Sequence, residues 1–472
     1  MMEKRAAIPV TLPQANPTIS YWQDPPDAQL ANYLSASAVP DTADMVVIGS
    51  GISGACTAWG LLEKGAKDVV MLEARQACSG ATGRNGGHTK AASYRSFLDS
   101  AATLGVAEAV KIARLEYQNI KDVHAFSRAH NIDCDLYSGD TVDIIYDESQ
   151  WKSAKLAVEA MRNAMPEDIE GAARYQFWTA EETVEKFHVR GDRPVGSVSY
   201  FAGSLSAYKL VVGVLKMCVE EGLQLYTNTP ALSVKKGADG TWSLETSRGI
   251  IKAKNVVLAT NGYTAFLDKR FQGVIVPLRG QVTAHRPGSK QPRDGLGYTY
   301  SFIYADGYEY MIPRPKGSKF EGDIVIGGGL AKAPEVGVLE YGVTDDASKN
   351  AIISQYLHET TARYFGREAW GDDHPDGRIR TEWTGIMGYS SDGFPFVGAV
   401  PGEEGLWMSA SFQGHGMVLC FRSALALVQL MSGEDVRGWF PDAFRVTDER
   451  LGLRFRGRLH TVPADTDLGS KL

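Results

Sequence analysis

Near its start the chain alternates short apolar runs with stretches of helical period, and near its middle the period falls to two. Residues 1–42 are polar and rich in Pro and Ala, and read as an arm laid over the surface. ADMVVIGS, ending at Ser50, is a compact apolar run bounded by turn residues, which suits a strand buried on both faces. Ile52, Ala55, Trp59 and Leu62 follow near helical spacing until Gly65 stops the helix, and KDVVMLEA reads as the next strand. Such a strand–helix–strand run has the size of one βαβ unit, about 30 residues, whose crossover is right-handed and parallel.

Residues 100–190 read as largely helical. ARLEYQNIKDVHAFSRAH and SQWKSAKLAVEAMRNAM are amphipathic, and Thr179 with Glu182 forms a capping box for a third helix. From Leu223 onward LQLYTNT, ALSVKKG, TWSLETS and KNVVLATNG read as successive strands broken by ADG and SRG turns. YEYMIPRP and DIVIGGG are further strands. The chain closes with WTGIMGYSSDGFPFVG, the strand LWMSASF, the turn QGHG and the apolar stretch GMVLCFRSALALVQLMSG. That stretch holds Arg422 and falls short of the roughly 20 residues of a bilayer span, so it reads as a buried core helix. No internal repeat is visible.

With 472 residues, 44% hydrophobic and 22% charged, the chain is globular and long enough for two domains. A net charge of −7 supplies no basic field for nucleic acid or anionic lipid, which leaves a small molecule as the expected partner. The five cysteines are odd in number and form no C-x-x-C pair, the pattern of a reducing compartment, with no metal site expected. The prolines near the N-terminus stand where a signal peptide needs an apolar run.

Chemistry enters at Gly49-Ser50-Gly51-Ile52-Ser53-Gly54, a G-x-G-x-x-G lying between the first strand and its helix. The first glycine makes the tight turn, the second lets backbone approach a pyrophosphate, and the third permits close helix–strand packing, with the helix N-terminus facing the anion. Glu73, at the end of the second strand, stands where an acid accepts hydrogen bonds from ribose hydroxyls and repels a 2′-phosphate. The fold class is therefore α/β, with a Rossmann-like dinucleotide unit. An NAD enzyme would continue its sheet here, whereas Glu73-Ala74-Arg75 leads into CSGATGRNGGHTK, a Gly-rich loop able to bring many N–H groups to phosphate and to a flavin ring.

VVIGSGISG, LEAR, SGATGRNGGH, ATNGYT, PLRGQ, EWTGIMGYSSDGFPFVG and GHGM, in that order over about residues 43–440, resemble the D-amino-acid oxidase superfamily of FAD enzymes. The T-G-R-N-G-G run resembles the branch holding γ-glutamylputrescine oxidase, glycine oxidase and sarcosine oxidase. The resemblance implies a discontinuous FAD domain over 43–95, 200–275 and 380–440, interleaved with a mixed-sheet α+β substrate domain over 96–199 and 276–379, and a C-terminal tail over 441–472. It implies that Gly49, Gly51, Gly54, Glu73 and Arg75 hold the ADP half. Thr82, Gly83, Arg84, Asn85, Gly86, Gly87 and His88 would pass along the pyrophosphate and ring, Val234 would touch adenine through its backbone, and Thr260 and Gly262 would support the phosphate side. Gly414, His415, Gly416 and Met417, at the N-terminus of the apolar helix, would put about half a positive charge near the flavin and favour its electron-accepting state. Sarcosine oxidases carry a lysine just after their G-H-G-F and many attach FAD through a cysteine before the D-G-x-P segment. Here Val418 follows Met417 and no cysteine lies between Glu382 and Pro395, so FAD is expected to be noncovalent.

On the substrate side, alternation puts Tyr308, Tyr310, Ile312 and Arg314 on one strand face, where a tyrosine and an arginine resemble the family's carboxylate clamp. Lys90 and Arg84 are second candidates for substrate or oxygen activation, with Arg84 assigned to FAD. His415 is a candidate to orient substrate, Trp383 to wall the pocket, and Arg279 and Gln281 to pack the interdomain strand. The expected activity is oxidation of an amino acid or secondary amine to an imine, with O₂ returning the flavin to its oxidised state and forming H₂O₂. The alternative is a dehydrogenase serving another electron acceptor. The terminal Ser470-Lys471-Leu472 reads as a peroxisomal address, which a peroxide-forming oxidase would suit, and makes the import receptor an expected partner.

Overall fold

In the computed structural model, which describes residues 1–292 and 295–457, two sheets meet across one cavity. The path of the first runs Phe396–Ala399, Leu406–Ala410, Gly249–Leu258, Thr42–Ile48, Val69–Leu72, Gln224–Tyr226, and Ala231–Lys236 and Trp242–Thr246 extend it beside Gly249–Leu258. Its central strands are parallel, with Val47 opposite both Val257 and Met71. Val47, Met71 and Val257 pack with Ile52, Leu61, Leu215 and Leu427 of the helices, while Val46, Ile48, Val70 and Leu72 pack with Trp242, Leu244 and Phe271 on the opposite face. With both faces covered, the strand needs no polar alternation, which is why it reads as an unbroken apolar run.

The second sheet follows the path Ile379–Ser390, Ile275–His285, Ile324–Gly327, Tyr308–Pro313, Thr299–Ile303, Tyr137–Ile145, Gly196–Ser204, His88–Thr89, with Gln176–Trp178 beside Gly196–Ser204. It crosses the domain bounds expected from the sequence: His88–Thr89 and Ile379–Ser390 fall in segments assigned to the FAD domain, yet pair in this sheet. The 100–190 region holds the helices Val106–Ala129, Glu148–Ala164 and Ala180–Phe187, the last with the capping box formed by Thr179 and Glu182. It also holds Tyr137–Ile145, which departs from the helical reading. That strand pairs along its full length with Gly196–Ser204 and buries its last five residues, so its own sequence shows no alternation. The helices Ala207–Glu220 and Ala351–Trp370 carried no reading in the sequence.

Two further expectations change. The apolar stretch opens with a 3-10 turn over Gly416–Val418, and its helix starts only at Cys420 and ends at Met431. Among the described residues no helix is long and apolar enough to cross a membrane. The 1–42 arm is built into the molecule rather than laid over it, since Ser20, Tyr21, Trp22, Gln23 and Leu30 are buried. The segment after 440 likewise packs back, with Arg450 bonding the Asp392 carboxylate and the Pro395 carbonyl. Ser470, Lys471 and Leu472 lie outside the described residues.

Candidate active site

A single cavity of about 400 Å³ runs from the first glycine-rich turn to the strand Tyr308–Pro313. At its first end Gly49 has φ +109°, and an added Cβ there would sit 2.5 Å from the Ala259 carbonyl oxygen. A Cβ on Gly54 would lie 1.9 Å from the Gly49 oxygen, so the third glycine serves helix–strand contact and stays off the cavity wall. Gly51, Ile52 and Ser53 do line the cavity, at the first turn of the helix Ile52–Glu63, whose early N–H groups have no carbonyl a turn before them. Glu73 lines it too. Its carboxylate accepts hydrogen bonds from Ser50 N (3.1 Å), Ser50 Oγ (2.6 Å) and Arg75 N (2.9 Å), which aims the acid and leaves Ser50 itself behind the wall.

The second loop is pinned to this turn, because Ile52 N donates to Thr82 Oγ1 at 3.0 Å. Thr82, Arg84, Asn85, Gly86 and His88 follow along the cavity, as do Ala74 and Arg75. Gly83 and Gly87 do not; Cβ atoms there would strike the carbonyls of Cys78 and Leu205. The charged ends of Arg75 and Arg84 are taken up by protein. Arg75 pairs with Asp346 at 3.0 Å, and Arg84 donates to Ser79 O, Thr18 O and Thr384 O. Burial lowers the Arg84 pKa to about 10, against the pull of Asp346. Both arginines thus order the loop while remaining on the cavity wall, where the buried Arg75 Nε has no protein partner.

Thr260 lines the cavity with Asn261 and Tyr263, whereas Gly262 packs against Met387 O. Val234 lies on a separate small cavity, and Ala231, at the start of the same strand, is the residue on the main wall. At the far end Gly414, His415, Gly416 and Met417 all line the cavity. Gly416 and Met417 open the 3-10 turn Gly416–Val418, which precedes the helix Cys420–Met431 at its positive end, while the His415 N–H is taken by Phe412 O at 2.7 Å. His415 Nε2 meets Ala91 O at 3.2 Å. His88 Nε2 meets Thr299 Oγ1 at 2.7 Å, and burial first, then the charges of Lys90 and His415, hold its pKa well below the usual range.

Tyr308 and Tyr310 line the cavity, and Tyr310 lies so close over Gly86 that a Cβ there would come within 2.3 Å of its ring. The shared face continues away from the cavity. Ile312 also meets Gly86, and Arg314, past the strand's end, pairs with Asp135 at 2.5 Å and lies 4.8 Å from the Trp22 ring. Arg314 is not on the wall, because the row of side chains outruns the chamber. Trp383 is buried beside Tyr21 and donates to Arg84 O, also off the wall. Lys90 does line the chamber, held by the Asp143 carboxylate and Ser301 Oγ. Asp143 in turn accepts from Tyr94 OH (2.8 Å) and Tyr200 OH (2.9 Å). Burial lowers the Lys90 pKa while Asp143 opposes the shift.

Sequence reasoning missed Arg95, which lines the cavity with its guanidinium 4.9 Å from the Tyr308 ring. The available signal was a cation five residues past Lys90, at the start of the helix Tyr94–Leu104. Thr11, Leu12 and Pro13 of the arm also line the cavity and were unforeseen. Among the described residues no group of three or more His, Cys, Asp or Glu is placed to hold a metal ion.

The donor set fits FAD. A helix N-terminus with glycines open to a diphosphate, a carboxylate at the ribose position and a Gly-rich loop share one wall with the Tyr263 hydroxyl, which is buried and has no protein hydrogen-bond partner. Relatives agree. The chain is 25% identical over 422 residues to a probable oxidoreductase OrdL of Rhizobium meliloti, covering 88% of this chain and 89% of that one. It is 21% identical to the glycine oxidase of Bacillus subtilis, covering 85% and 96%. The fold matches the crystal structure of glycine oxidase from Geobacillus kaustophilus with a TM-score of 0.69 at 19% identity, over 87% of this chain and 99% of that one. The family model of FAD dependent oxidoreductases (DAO) matches residues 44–430, and the chain belongs to that family.

Proposed function

We propose that the protein is an oxidase of an amino acid or secondary amine. The observation that carries the reading is the single cavity joining a dinucleotide crevice to a chamber walled by Tyr308, Tyr310, Lys90 and Arg95. Bound FAD would supply the redox chemistry, taking a hydride from the C–H beside the substrate nitrogen, so that the substrate leaves as an imine, and passing its electrons to O₂ to form H₂O₂. Arg95, stacked on Tyr308 at the chamber wall, is placed to grip a carboxylate with parallel N–H donors. Lys90, kept in place by Asp143 and Ser301, offers the chamber an N–H donor whose charge the Asp143 carboxylate balances. His88 is neutral near pH 7 and can only share a hydrogen bond. The turn at Gly416 and Met417, ahead of the helix Cys420–Met431, favours negative charge developing at that end of the cavity.

The names of the relatives support the substrate class, since glycine oxidases and a gamma-glutamylputrescine oxidoreductase of Escherichia coli are among them. Noncovalent FAD is supported by the cysteines. Cys420 also lines the cavity, but burial pushes its thiol up to about 12, which keeps it protonated and a poor nucleophile.

Anaerobic mixing of the yellow holoenzyme with amino acids, N-methyl amines and polyamine conjugates tests the reading. Bleaching by one class, reversed at once by air with matching peroxide, is expected. Bleaching that persists in air would make the enzyme a dehydrogenase, and a flavin that no amine bleaches would defeat the proposal.

A further inference from the structure

The arm crosses the cavity at the end away from the substrate chamber. Thr11, Leu12 and Pro13 share the wall there with Glu73, Ala74, Arg75 and Ala231. Before that point the arm is held by the Gln272 side-chain amide, which donates to Ala6 O (2.8 Å) and Ile8 O (2.9 Å). Beyond it Arg75 donates to Gln14 O (3.1 Å), and Thr18 N donates to Asp346 O (2.8 Å). The arm then reaches the flavin-side loop, with Ser20 Oγ donating to Gly83 O and Trp22 Nε1 to Asn85 O, both at 2.5 Å.

Two features set the 9–18 segment apart from the other walls. It belongs to no helix or strand. Between two anchors, the buried Val10 and Thr18 with its bonds to Asp346, Thr384 and Arg84, residues 11–17 are held by the Thr11–Thr344 and Arg75–Gln14 hydrogen bonds, so that this stretch can open without unfolding either sheet. Pro9, Pro13 and Pro17 restrict its backbone to extended forms, which lowers the entropy lost each time it closes. Leu12 and Pro13 present apolar surface to the cavity, and an occupant there would cover it.

We propose that residues 9–18 are part of the cofactor site, a strap that closes over the adenosine half of FAD once it has entered. Strap and cofactor then stabilise each other, since each completes a wall for the other, and release of FAD waits for the strap to open. The inference rests on the FAD assignment and is independent of the substrate.

Two measurements test it, neither involving an amine. In the full chain, exposed residues 14–16 offer a site for limited proteolysis. Cleavage there is expected to be fast in FAD-depleted protein and strongly slowed when FAD is restored. Equal rates in the two forms would overturn the proposal. A chain lacking residues 2–14 keeps Thr18, Ser20 and Trp22, and should lose FAD about tenfold faster or more on dilution, read by the recovery of flavin fluorescence, because such differences fall mainly on the dissociation rate. An unchanged rate would also overturn it. Should the shortened chain fail to fold, the proteolysis result decides alone. Because no substrate is present, a negative outcome leaves the oxidase reading standing, and a failure of the amine panel leaves this one standing.

Discussion

Asp346→Ala removes a carboxylate that the sequence never singled out, yet it is the node on which two buried arginines converge. Asp346 is 1% exposed, Arg75 7% and Arg84 3%. The carboxylate lies 3.0 Å from Arg75 and 3.6 Å from Arg84, and its own backbone carbonyl accepts from Thr18 N and Thr384 Oγ1. Removing one partner of a buried ion pair leaves uncompensated charge and costs about 3–5 kcal/mol. Here two guanidinium groups lose that compensation, which places the expected loss at the upper part of the range. Urea unfolding of FAD-depleted protein, followed by tryptophan fluorescence, measures it. A loss below about 1 kcal/mol, the scale of an exposed pair, would refute the argument, because water would then already be screening these charges. A double-mutant cycle sharpens the test. Adding Arg84→Met to Asp346→Ala removes one stranded charge, and the coupling should be about 0.5–3 kcal/mol in the restoring direction.

Four shorter predictions concern the cavity and its surroundings. Gly51→Trp fills the place of the diphosphate and should yield colourless protein; purification with a full complement of flavin would argue against the site. Arg95→Ala should raise KM for carboxylate-bearing substrates roughly 30- to 150-fold, from the loss of a charged hydrogen bond of about 2–3 kcal/mol. Arg314→Ala should leave KM unchanged while lowering stability, since Arg314 lies off the chamber and its loss leaves the buried Asp135 with Lys209 as its one remaining ion-pair partner among the described residues. Glu116, buried and bonded by Ser93 Oγ, has its pKa raised from 4.5 to about 7, by burial against the opposing hydrogen bond. The folded state therefore holds a proton that the unfolded chain releases earlier. This contribution is complete below pH 4.5 and is lost as pH rises through about 7, a fall on the order of 3 kcal/mol that Glu116→Gln should flatten in a pH series of unfolding curves.

The legible parts of the molecule share one property, that short segments carry their own constraint. Gly49, Gly51 and Gly54 stand between strand and helix because turn geometry and close packing exclude a Cβ at the first and third, and that demand is written in six consecutive residues. The capping box of Thr179 and Glu182 is equally local. The strand Tyr137–Ile145 was illegible because its partner Gly196–Ser204 lies some fifty residues on, and because both faces of its end are covered, Val142 and Ile144 by one apolar cluster and Ile145 by another, which erased its alternation. Arg314 shows the same limit from the other side. Alternation correctly aligned it with Tyr308 and Tyr310, but how far the cavity extends along that face depends on Gly86, Trp22 and Asp135, from three other parts of the chain.

The sequence by itself determined the parallel βαβ core, the diphosphate turn and the acid at the ribose position, because hydrogen-bond geometry and the size of glycine act over a few residues. Only the tertiary structure decided which cations face the chamber, Lys90 and Arg95, and which are absorbed into the frame, Arg75, Arg84 and Arg314. A buried charge goes where a counter-charge awaits it, and Asp346, Asp135 and Asp143 come from segments that only folding brings alongside.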